Sequence, residues 1–173
     1  LALRPADAAE TSVAWRMALE NTRTPTALIF SRQNIKDVPA RAGSTRYADA
    51  LQAEKGAYIA LDCAGTPDVV LVASGSEVST LIGGAELLTA QHGLKVRVVS
   101  VISEGLFRQQ PVGYQTPVLP PDLPTIGLTA GLPVTLAGLV GAKGRTWGLE
   151  SFGYSAPAKV LDLKDRGVLA PGM

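Results

Sequence analysis

Asp68-Val69-Val70-Leu71-Val72-Ala73-Ser74-Gly75-Ser76-Glu77-Val78 runs from an aliphatic stretch through a serine-glycine turn into an amphipathic segment. Residues 69–73 are rich in β-branched side chains with no polar alternation, the pattern of a strand covered on both faces. From Val78 the apolar positions take helical spacing. Val78, Leu81, Ile82, Ala85 and Leu88 share one face, and His92-Gly93 marks the stop. Lys95 to Val101 returns to a β-rich run. Residues 68–101 therefore read as one β-α-β unit with a right-handed crossover. Ser74, with Glu77 three residues on, fits a capping box at the helix start.

The same punctuation extends both ways. Gly56 to Cys63 reads as a strand and Ala64-Gly65-Thr66-Pro67 as a turn, which predicts a hairpin with Asp68–Ala73 at the sheet edge. Ser103 to Gln110 reads as a short helix with Leu106 and Phe107 inward, and Pro111 to Pro124 as an irregular surface path. Thr125 to Ala130 is a further buried strand, Pro133 to Val140 a helix and Thr146 to Glu150 another strand. A last helix opens at Ser155-Ala156-Pro157-Ala158 and runs to about Lys164, with Ser155 as cap and Pro157 in the first turn. The expected fold is α/β: a three-layer sandwich with a mostly parallel five-stranded sheet, in a domain of about 115 residues.

Upstream, Ala6 to Asn21 reads as a helix opened by Pro5 and Asp7, with Ala9, Val13 and Met17 forming a weakly apolar face. Thr26 to Ser31 reads as a strand with no earlier strand to pair with. Residues 33–55 are polar and punctuated by Pro39 and Gly43, with a short helix expected at Arg46–Gln52. The expected division is therefore 1–34 as the helix-strand end of another α/β domain, 35–55 as a linker and 56–173 as the main domain. With no initiator methionine and no signal-peptide pattern in residues 1–6, the chain is expected to be a piece of a longer protein.

Composition narrows the function classes. The 173 residues carry 16 basic and 15 acidic side chains, a net charge of +1, and are 46% hydrophobic. Nothing here favours a nucleic acid or a membrane as partner. Cys63 and His92 are the only cysteine and histidine. That excludes an internal disulfide and a cysteine-cluster metal site, and suits a reducing, cytoplasmic setting. His92 lies at a helix end, where a cation is favoured by the dipole.

Little of the remaining pattern carries chemistry. Glu104, Asp122, Glu150, Asp162 and Asp165 are scattered, so they suggest no acid/base dyad, and Ser103 and Ser151 lack a placed base. Trp15, Trp147, Phe107, Phe152 and Tyr154 read as core or interface anchors. Ser74-Gly75-Ser76 places free backbone donors at a helix start but lacks a dinucleotide or triphosphate fingerprint. Arg32 stands apart, because it follows the apolar run Ala27–Phe30, where open α/β sheets meet their ligands. Its planar fork of donors suits phosphate or carboxylate, and the residues alone leave open a plain surface ion pair.

Arg4-Pro5-Ala6-Asp7, Pro25–Leu28 running into Ser31-Arg32-Gln33-Asn34, Ala73–Val78, Val96–Ser100, Val118-Leu119-Pro120 and Phe152–Ala158 occur in the order seen in transketolase. The chain resembles the end of that family's pyrimidine-binding domain, its linker and its C-terminal domain. The resemblance implies a homodimeric parent enzyme of the pentose phosphate pathway. It would transfer a two-carbon ketol unit between sugar phosphates, using thiamine diphosphate and a divalent metal, Mg or Ca. It implies that the catalytic, cofactor and metal residues lie upstream of Leu1, so this chain is expected to bind neither group and to be inactive alone. One residue carries over: Arg32 is similar to the family's substrate-phosphate arginine. The chain departs from the family pattern at Leu128-Thr129-Ala130-Gly131, at Leu132–Gly141 and in its tail from Asp162. Two alternatives stand beside this reading. One is a non-catalytic module that binds a small anion at Ser74–Glu77 or serves assembly. The other is a related thiamine-diphosphate enzyme, deoxyxylulose-phosphate synthase or a 2-oxo acid dehydrogenase beta subunit. Ser31–Asn34 and Ser155-Ala156-Pro157 favour transketolase over those relatives.

Overall fold

The computed structural model describes residues 1–150; the helix expected at 155–164 lies outside them. The chain opens with β1 (Ala2–Leu3), α1 (Ala8–Glu20) and β2 (Ala27–Leu28), continues through α2 (Arg46–Ala50) and a 3₁₀ turn (Leu51–Lys55), and reaches β3 (Ala57–Leu61). Then follow β4 (Val69–Ala73), α3 (Glu77–His92), β5 (Val96–Val101), α4 (Glu104–Arg108), α5 (Val112–Val118), β6 (Thr125–Leu128), α6 (Val134–Val140) and β7 (Arg145–Trp147). The main sheet has the order β3-β5-β4-β6-β7, parallel except for β3.

Alternation along the central strands makes the three layers. Val69, Leu71 and Ala73 of β4 face a core that includes Val78, Ile82 and Ala85 of α3 and Val13 and Ala14 of α1. Val70 and Val72 face the opposite core, with Val99 and Val101 of β5, Phe107 of α4 and Val118 of α5. Both faces of a parallel sheet must be covered, which is why β4 and β5 read as near-continuous apolar runs.

Three expectations are corrected. The hairpin of residues 56–73 does not form: β5 lies between β3 and β4, and β3 pairs antiparallel with β5, Ile59 opposite Val99. The turn at 64–67 is real, but the strand that completes each apolar face comes from farther along the chain. The strand expected at 26–31 is only two residues long and does have an earlier partner, β1, in parallel register Ala2↔Ala27 and Leu3↔Leu28. Two residues are too few for any alternation to be read. The path from Pro111 to Pro124 contains α5, which keeps its helical shape around an internal Pro117 and buries Val118 against the second core.

The polar stretch 33–55 is packed rather than loose. Val38, Ala50 and Ala53 are buried in the first core, and Arg16 of α1 pairs with Glu54 of the 3₁₀ turn. That turn ends at Gly56, whose φ of +88° redirects the chain into β3. A Cβ there would lie 2.3 Å from the Phe107 amide nitrogen and 2.5 Å from the Ser103 carbonyl oxygen, so only glycine lets α4 approach this closely.

Candidate functional site

Arg32 follows the carboxyl end of β2, in the parallel β1-β2 pair. The Ile29 amide donates to the Leu3 carbonyl at 2.9 Å, so the ladder runs one step past the strand before the chain turns off. The loop is set by Ser31, whose hydroxyl oxygen accepts from the Gln33 amide at 3.2 Å. Arg32 is exposed, and none of the ion pairs among the described residues takes it up. An uncommitted guanidinium beyond a parallel strand end is suited to an anionic ligand.

The loop also meets the other segment singled out in the sequence. Ser31, Gln33, Asn34 and Lys36 face Ser76, Ser79 and Thr80 of the α3 start across an open pocket of about 360 Å³. The capping box does not form. Ser76 occupies the cap position without accepting from a helix amide, and the mostly buried Glu77 carboxylate instead accepts from the Ser76 hydroxyl at 2.7 Å and from Arg4 Nη2 at 3.2 Å. Gly75, at φ +69°, makes room for this, since a Cβ would lie 2.8 Å from Arg4 Nε.

A buried carboxylate pair escaped the sequence reading, which took Asp7 as a helix opener and saw no paired acids. Asp7 caps α1 by accepting from the Glu10 amide at 2.9 Å, and its other oxygen accepts from the Val38 amide at 3.0 Å and from Arg46 Nε at 2.5 Å. Glu10, fully buried, accepts from the Ala6 amide, the Tyr58 hydroxyl, the Ser100 hydroxyl and Arg46 Nη2. Arg46 also donates to the Tyr58 oxygen at 2.7 Å, with its guanidinium 5.8 Å from the ring centre. The one available signal was the spacing of Asp7 and Glu10, three apart in the first turn of a helix that shows little other polarity on its buried face.

Burial alone would raise the Asp7 pKa, but the Arg46 hydrogen bond and the two backbone amides outweigh it and hold the carboxyl below its ordinary range. Burial would likewise lower Arg46, and the bonds to Asp7 and Tyr58 keep it protonated more firmly than a free arginine. Tyr58 is pushed up, first by burial and then by the Glu10 charge. With every polar atom answered, this node fastens α1, residue 38, α2, β3 and β5 together; it offers no free acid or base for catalysis.

Among the described residues no three His, Cys, Asp or Glu converge as metal ligands, and no helix is long and apolar enough to cross a membrane. Phe107 is core, as expected, whereas Trp15 and Trp147 are half exposed.

Together these features define a doubly wound α/β domain with a two-stranded parallel sheet docked at its carboxyl edge, where the Arg4 amide donates to the Ile102 carbonyl at 2.9 Å. The family model described as the transketolase-like TK C-terminal domain matches residues 56–164, and the chain belongs to that family. It is 45% identical over 159 residues to Transketolase 2 of Vibrio parahaemolyticus, a match covering 91% of this chain and 23% of the relative. It is 41% identical over 160 residues to the transketolase of Aquifex aeolicus, covering 92% and 22%. Among solved structures, transketolase from Leishmania mexicana superposes with a TM-score of 0.75 at 37% identity, over 96% of this chain and 23% of that one. A Pichia stipitis transketolase in complex with sedoheptulose-7-phosphate gives a TM-score of 0.73 at 32% identity, over 96% and 23%. The chain thus spans about a quarter of the length of these relatives.

Proposed function

We propose that this chain supplies the C-terminal quarter of a transketolase, which moves a two-carbon ketol unit between sugar phosphates with thiamine diphosphate and a divalent metal, and that Arg32 holds the substrate's phosphate. The observation that carries the reading is the exposed Arg32 beyond the carboxyl end of β2, in no ion pair among the described residues, in a chain whose relatives include a transketolase bound to a sugar phosphate. A phosphate anchor acts through remote binding energy: it holds the sugar in place while the reacting carbons lie elsewhere. The rest of the chain supports that loop and takes part in a homodimer. The division into residues 1–34, 35–55 and 56–173 assigns Arg32 to the pyrimidine-binding part and the sheet of β3–β7 to the C-terminal domain.

The test is kinetic. In a complete enzyme carrying this segment, Arg32→Ala raises KM for a phosphorylated ketol donor far more than for an unphosphorylated one such as hydroxypyruvate. Equal effects on both donors remove the assignment, and the isolated chain is expected to show no turnover with either.

A further inference from the structure

The five-stranded sheet has a topological switch point. From β4 the chain crosses through α3 to β5 on one side, and from β5 it crosses back to β6 on the other. In open α/β sheets the crevice outside the carboxyl ends at such a point is where small ligands bind. Here that crevice is a cavity of about 350 Å³ bounded by Ser74 after β4, Ile102 and Ser103 after β5 and Thr129 after β6. Its outer wall is the small sheet, through Arg4 and Ile29.

The walls sort into three kinds. Ile29, Ile102 and Leu136 are apolar. Three polar side chains are committed elsewhere: Thr129 accepts from the Gly131 amide at 3.0 Å, Thr135 donates to the Leu132 carbonyl at 2.8 Å, and the Glu104 carboxylate on the rim is held by Arg108 at 2.7 Å. Three are not, among the described residues: Ser74, Arg4 and Ser103. Arg4 spends only Nη2, on Glu77, and Ser103 puts no side-chain bond onto the helix it starts. With Nη2 on Glu77 and Nε against Gly75, the arginine leaves Nη1 for one charged hydrogen bond to an anionic acceptor, and the serine adds a hydroxyl donor.

We propose that this crevice binds a short branched aliphatic carboxylate, its carboxylate on Arg4 and Ser103 and its alkyl end among Ile29, Ile102 and Leu136. This site is separate from the Arg32 loop and does not depend on the transketolase reading. The cavity lies within the range of small-ligand pockets and suits a molecule of few atoms. Such a ligand attains a dissociation constant on the order of a millimolar.

The experiment is a titration of the full 173-residue chain, isotopically labelled at Ile, Leu and Val methyls, with sodium isovalerate. The expected result is saturable shifts at Ile29, Ile102 and Leu136, with the neutral isostere isovaleramide binding about tenfold more weakly. Arg4→Gln is expected to abolish that preference. Should this variant fail to fold, Ser103→Ala, which removes no side-chain bond among the described residues, is expected to weaken isovalerate about threefold or more. The absence of saturable shifts up to about 20 mM, shifts confined to other methyls, equal affinity for the amide, or a Ser103→Ala titration identical to wild type each overturn the assignment.

Discussion

The Ser100 hydroxyl donates to Glu10 Oε1 at 2.7 Å, joining the first turn of the first helix to the main sheet across 90 positions of chain. Because Glu10 is fully buried and also answers Tyr58, Arg46 and the Ala6 amide, the bond belongs to a shared node rather than to an isolated pair.

Truncating the carboxylate should therefore cost more than truncating a single donor. Glu10→Ala leaves Arg46 Nη2, the Ala6 amide and two hydroxyls without their acceptor and is expected to destabilise the chain by about 3–5 kcal/mol. Ser100→Ala removes one hydrogen bond to a charged group, about 1.5–3 kcal/mol. Urea unfolding of the two variants checks the order, which an independent surface role for α1 would reverse or flatten.

Asp7 sets an acid limit on stability. Its carboxyl titrates below the ordinary value of 3.8, so above that value its contribution is complete. As pH falls through it the unfolded chain takes the proton first, and stability is lost down to the folded-state value. Between about pH 5 and pH 3 the wild-type chain should lose more stability than Asp7→Asn, measured as unfolding midpoints at each pH. Parallel pH profiles would show that Asp7 is not the titrating contributor.

Gly56 tests the closeness of α4 to the sheet. Alanine there meets the Phe107 amide and the Ser103 carbonyl and must hold a positive φ. The backbone strain alone is about 1–3 kcal/mol, and the clash adds to it. Thermal unfolding of Gly56→Ala should show a loss of at least that size, whereas Gly83→Ala, on an open part of α3, should not destabilise.

For Arg32 the expected loss corresponds to charged hydrogen bonds of about 1.5–3 kcal/mol each. In a complete enzyme that is a fall in kcat/KM of roughly tenfold to a hundredfold for a phosphorylated donor. Arg32→Lys should recover part of this, since it keeps the charge and loses the fork. Steady-state kinetics on both variants checks the prediction.

The β4–α3–β5 unit was legible because its period changes from strand to helix and back within one stretch, each change marked by glycine. The order of β3 in the sheet was not. Its pairing with β5 rests on register between residues 57–61 and 98–101, and no local turn encodes that choice. The same holds for β1, whose two residues carry no period, and for α5, where Pro117 hid a helix that tertiary packing sustains. That Arg32 follows an apolar run was legible because it is a local property, although the strand there stops at Leu28 rather than at residue 31. The Glu10 node was invisible because its partners come from four separate segments.

That node has a consequence for the order in which the chain matures. The carboxylate of Glu10 gains its full set of partners only when Tyr58 and Ser100 are both in place, so the native seat of the first helix is complete only once the strand ending at Val101 has been laid down. During synthesis from the N-terminus, α1 waits through roughly ninety residues of translation, several seconds at ordinary rates. Its native seat is then created by chain that emerged after it.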